Sequence, residues 1–131
     1  MLDAKAEKGN DSATTQMSQT SLRVQFIKKD GSIVDEEGKL LPEIERGGRT
    51  LHVVSIVCKF VYEEPDPGTF ELQKIIVACI PNAILQGEYN PTPEDTIWRV
   101  GRHAPKLGEE FRVRLSFSRL KEKAEWRVRY L

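Results

Sequence analysis

Apolar and polar residues alternate in short runs from Ser21 to the end of the chain. In "SLRVQFIKK", Leu22, Val24 and Phe26 alternate with Arg23 and Gln25, the period of two that marks a strand with one buried and one wet face. "KDGS" then reads as a tight turn. Two longer runs, "TLHVVSIVCKFVYEE" and "TFELQKIIVACI", are too continuously apolar for an edge strand, and "PDPG" at 65–68 turns the first back onto the second. Setting Glu64 opposite Thr69 predicts a hairpin with two apolar faces. Val54, Ile56, Cys58 and Phe60 share one face with Ile75, Val77 and Cys79, while Val53, Val57 and Val61 share the other with Leu72, Ile76 and Ala78. Such a hairpin must be covered twice, the second time by a sheet, a helix or a neighbouring subunit. The same register sets Lys59 beside Lys74, an unfavourable pair that predicts a bulge or a slip.

The connecting segments carry turn chemistry. "VDEEGKLLPEIERGGR" admits at most one helical turn over residues 42–46, stopped by Gly47 and Gly48, and "PNAILQGEYNPTPED" admits one or two more, with Thr92 as a cap. "TIWRVGR", "EFRVRLSFSRL" and "EWRVRYL" read as strands joined by "HAPKLGE" and "KEKA". About six or seven strands, no long helix and no repeat predict an all-β fold, a small antiparallel barrel or sandwich with one or two short helical turns. Residues 1–20 are polar and nearly free of aliphatic side chains, so they are expected to form a disordered tail ahead of a single β-domain at 21–131.

Charge changes this picture. The chain is neutral overall, yet residues 1–96 hold ten Lys and Arg against sixteen Asp and Glu, and residues 97–131 hold ten against four. That split implies an anionic partner for the C-terminal part, or acidic and basic surfaces of two copies meeting. With "KEKA" as a turn, Val113, Leu115 and Phe117 join Trp126, Val128 and Tyr130 on a core face. Arg112, Arg114, Arg127 and Arg129 then stand on the opposite face, spaced roughly as the phosphates of a nucleic acid strand. Arginine and serine are also ordinary on the wet face of a soluble hairpin, where they discourage edge pairing. Against that reading, Glu125 is the one acid on either strand between Phe111 and Leu131. Arg99 and Lys106 extend the candidate patch, and Trp98 is a candidate base-stacking ring, although core burial is its commoner fate.

The chemistry of catalysis is harder to find. His52 sits within a strand run and His103 within a loop, and no metal-ligating spacing, Gly-rich phosphate loop or nucleophile with an assignable base appears. Cys58 and Cys79 read as small buried hydrophobes. No stretch is apolar enough to span a bilayer and no export signal is visible. The expectation is therefore a non-enzymatic binding domain with no cofactor and no metal, intracellular (cytoplasmic or nuclear, or carried in a virion). Its basic sheet face would contact a polyanion, foremost nucleic acid, DNA or RNA, with an anionic membrane surface marked by no motif. The alternatives are a homo-oligomeric structural protein of viral matrix or capsid type, packing through the apolar hairpin face, and a small ligand-binding barrel.

Overall fold

A computed structural model describes residues 2–9, 13–101 and 112–131. The all-β expectation holds: strands dominate, and the two α-helices among the described residues are short. The central sheet has the strand order β1 (Leu2–Lys8), β7 (Ser55–Glu63), β8 (Glu71–Ile80) and β11 (Val128–Tyr130). A second sheet has the order β2 (Ala13–Thr15), β10 (Val113–Leu115) and β9 (Trp98–Val100). Two hairpins complete the strands: β3 (Val24–Ile27) with β4 (Ile33–Glu36), and β5 (Glu43–Arg46) with β6 (Arg49–His52). The helices are α1 (Gln86–Tyr89) and α2 (Phe117–Lys123).

The β7–β8 hairpin forms as its pattern predicts, with a register two residues away from the expected one. Val57 faces Ala78, Lys59 faces Ile76 and Phe60 faces Ile75, and the ladder shifts between Val61 and Tyr62. Up to the bulge, a slip of two keeps the side chains on their predicted faces and separates the two lysines, while beyond it Leu72 pairs with Tyr62 and turns to the other face, where it is exposed. Val57, Val61, Ile76, Ala78 and Ile80 are buried, in one core with Val24, Phe26, Trp98, Leu115, Phe117, Leu120 and Val128. Lys59 shares that buried face and is wholly inaccessible, while Cys58 and Cys79 are half-buried free thiols on the other face.

Three segments depart from expectation. Residues 1–20, expected to be disordered, contain β1 and β2, and β1 pairs in parallel with β7 along its whole length. An unpaired strand edge recruits backbone through its N–H and C=O groups, which require no aliphatic side chains. Gly47 and Gly48, with φ of 58° and 71°, close the β5–β6 hairpin, whose first strand stands where a helical turn over residues 42–46 was expected. Both central residues of this turn type need positive φ, which glycine supplies without strain.

The third departure matters most for the site. The stretch containing "KEKA" is not a hairpin turn, because Ser116 caps α2 by accepting a hydrogen bond from the Arg119 N–H. Phe117 and Leu120 are buried at helical spacing on the same side of α2. As a result β10 and β11 belong to different sheets.

The core assignment predicts a contrast between two residues of β8. Ile76→Ala should lower the unfolding free energy by about 2–5 kcal/mol, whereas Leu72→Ala, at an exposed position, should cost less than about 1 kcal/mol. Urea titrations followed by tryptophan fluorescence would compare them, and equal losses would contradict the inward assignment of Ile76.

Candidate nucleic-acid interface

The β9–β10 ladder sorts its residues by alternation. Trp98, Val113 and Leu115 point into the core, while Arg99 is exposed and Arg112 and Arg114 are half-buried. Arg99 is the direct register partner of Arg114, with Val100 opposite Val113 and Trp98 opposite Leu115. Pairing continues past the strand, where the Gly101 N–H donates to the Arg112 carbonyl at 2.7 Å. A Cβ at Gly101 would lie 2.4 Å from that of Arg112, so the close approach requires glycine.

Arg119, on α2, adds a further cation. From α2 its Nη1 donates to the carbonyl oxygens of Thr96 at 3.0 Å and Trp98 at 3.4 Å. These bonds tie the helix to the start of β9. No sequence signal near Arg119 announces the contact, which spans 21 to 23 residues.

The other predicted site residues separate. Trp98 is 0% exposed, so it is a core residue and no base-stacking platform. Arg127 is only 7% exposed and lies between two rings, its guanidinium carbon 4.6 Å from the Tyr89 centroid and 4.3 Å from that of Trp126. Its Nε donates to the Tyr89 hydroxyl at 2.8 Å and its Nη1 to the Cys79 carbonyl at 3.4 Å. Arginine stacked and bonded in this way holds the fold together and is not offered to a ligand. Trp126, expected in the core, is instead 61% exposed and covers that guanidinium. Arg129 is exposed but stands on β11 opposite Val77, in the central sheet. Lys106 lies outside the described residues. The four-arginine grid is thus corrected to Arg99, Arg112 and Arg114 on one sheet, because a helix replaces the turn that would have joined the halves.

The β3–β4 turn stands near β9. Its Asp30 carboxylate accepts from the Ser32 hydroxyl at 2.6 Å and the Ser32 N–H at 2.9 Å. Those two bonds, the hydroxyl foremost, hold its pKa below the ordinary carboxylate value. Just ahead of β3, Arg23 bonds Asp35 of β4, which raises the guanidinium pKa further. Among the described residues no three His, Cys, Asp or Glu side chains gather as a metal-ligating group. No described helix is long and apolar enough to cross a membrane.

Comparison with known proteins gives this geometry a context. A family model described as "Type II restriction enzyme SfiI" matches residues 1–131. The Type II restriction enzyme SfiI of Streptomyces fimbriatus is 33% identical over 140 residues, covering 100% of this chain and 52% of that protein. Among solved structures, tetrameric restriction endonuclease SfiI bound to cognate DNA superposes with a TM-score of 0.86 at 32% identity, over 99% of this chain and 52% of that one. Restriction endonuclease BglI bound to its DNA recognition sequence superposes with a TM-score of 0.73 at 21% identity, over the same shares, a likeness of fold. The chain therefore spans about half the length of the relatives it matches. These relatives are enzymes, which overturns the expectation of a non-enzymatic domain. The viral, structural and RNA-binding readings gain no support from them.

Two predictions follow from the placement of side chains. Arg127→Ala should cost about 2–3 kcal/mol of stability by leaving Tyr89 and Trp126 without their shared cation, and Arg129→Ala less than about 0.5 kcal/mol. Thermal unfolding would compare them, and an Arg127 variant as stable as the parent would refute the latch. In Ser32→Ala the Asp30 carboxyl should titrate closer to the ordinary value, as read by NMR. Because the folded pKa is lowered, the turn's support is full above the ordinary carboxylate range and fades as pH falls through the lowered value.

Proposed function

This chain belongs to the Type II restriction enzyme SfiI family, and from that premise we propose that it is part of a DNA-cleaving endonuclease that holds duplex DNA on its β9–β10 face. The observation that carries the proposal is the register pair Arg99–Arg114 with Arg112 just ahead of β10, its carbonyl bonded to the Gly101 N–H. Guanidinium groups bind phosphate oxygens and the acceptor edge of guanine bidentately, so three of them on a narrow sheet suit both backbone contact and groove reading. A two-stranded ribbon is also narrow enough to enter the major groove.

The hydrolytic step is assigned to β1. Phosphodiester cleavage needs groups that hold the scissile phosphate and activate a water, and an acid and an amine two residues apart on one strand supply both chemical types. β1 carries Asp3 and Lys5, and its backbone register sets Lys5 beside Lys59 of β7. Lys59 is wholly buried, and ionisable groups taken out of water concentrate at functional sites.

Assembly with further copies, as in the tetrameric relative, fits the apolar outer face of the central sheet. There Phe60, Leu72 and Leu131 are exposed. Action on DNA is compatible with a place inside the cell.

Fluorescence anisotropy with a labelled duplex tests the reading. Binding should weaken steeply with salt, and Arg99→Ala/Arg112→Ala/Arg114→Ala should weaken it at least 100-fold, since each lost arginine contact is worth about 1–3 kcal/mol. Lys5→Ala should leave binding within a few-fold and remove cleavage. Absence of any duplex binding by the parent at low salt would sink the proposal.

A further inference from the structure

A cleft of about 520 Å³ opens between the β3–β4 turn, β9 and the start of α2. Lys28, Lys29, Arg99 and Arg119 line it, with Thr96 and a single carboxylate, Glu94. The two lysines come from a turn that is held rigidly. Lys28 N–H donates to the Ser32 carbonyl at 2.8 Å, and Gly31 N–H to the Lys28 carbonyl at 3.0 Å with Gly31 at φ 84°. Asp30, the acid of this turn, is bonded to Ser32. Arg119 is fixed by the Thr96 and Trp98 carbonyls. Four cations from three separate elements thus line one space with a single carboxylate in its wall. The bonded turn and the bonded Arg119 lower the entropy lost when an anion enters.

We propose that this cleft seats a phosphate of the DNA backbone, beside the stretch that the β9–β10 arginines face. The inference rests on the DNA-binding reading above and extends it to a separate element, the β3–β4 turn. Arg99 links the two, since it lines the cleft and pairs with Arg114 on the sheet. A phosphate contact carries no sequence information and adds a salt-dependent increment to affinity for every duplex alike. The cleft therefore sets the position of the protein on the duplex, and the sheet face reads it.

The experiment is a salt titration of duplex binding by the parent, by Lys28→Gln/Lys29→Gln and by Glu94→Gln, with two unrelated duplex sequences. The lysine variant should bind both sequences several-fold more weakly, and its slope of log affinity against log salt should be shallower by about one. The Glu94 variant should bind both several-fold more tightly, because the opposing charge is gone. These substitutions lie at exposed or half-buried loop positions, and circular dichroism would verify the fold of each. A lysine variant with the parent's slope, or a Glu94 variant with no gain in affinity, overturns the assignment while leaving the sheet-face reading intact. A parent that binds no duplex removes both.

Discussion

The ladder between β7 and β8 is the constraint on which the rest of the molecule hangs. Its nine register pairs are flanked by β1 on one side and β11 on the other, so an error in its register would misplace both neighbours. Hydrophobic alternation fixes which face of each strand turns inward, since an odd slip would expose Val57, Ile76 and Ala78 to water. A slip of two leaves that burial untouched. The choice between the even registers falls to local terms, among them the separation of Lys59 from Lys74 and the bulge at Val61/Tyr62.

The second sheet leans on the same core. Trp98, Val113 and Leu115 pack with Phe117 and Leu120 of α2 and with Val24 and Phe26 of β3. Because those rings and branched chains turn inward, Arg99, Arg112 and Arg114 are left on the far side of the ladder. Arg119 then secures the junction through two main-chain carbonyls. The basic surface is thus a product of core packing, and its rigidity comes from the strands beneath it. The same logic explains Arg127, whose charge is taken out of water between Tyr89 and Trp126 to brace α1 against the end of β8.

Kinship with a restriction enzyme family gives the cationic sheet and the separation of charge along the chain a context. It also corrects a bias of composition-based reasoning. An acid and a lysine two residues apart on a short strand, as at Asp3 and Lys5, have no distinctive spacing, since Asp-x-Lys recurs in ordinary surface sequence. The sequence offered no cluster of histidines, no phosphate loop and no nucleophile with a base, and those are the signals that a single chain displays most clearly.

Alternation over "SLRVQFIKK" and the twin apolar runs around "PDPG" determined the strands, the hairpin and the all-β class, because burial on a pleated sheet imposes a period of two that survives in any context. Arg99 and Arg114 were legible for the same reason, each lying between residues that pack in the core. Tertiary structure alone decided the rest. A cap at Ser116 converted a predicted turn into α2, an edge of β7 drew a polar N-terminal segment into β1, and two rings closed over Arg127. Each of these outcomes depends on a partner far away in sequence whose position no local pattern encodes. That is why the cations could be counted from the chain, while their assembly into one surface could be seen only in the fold.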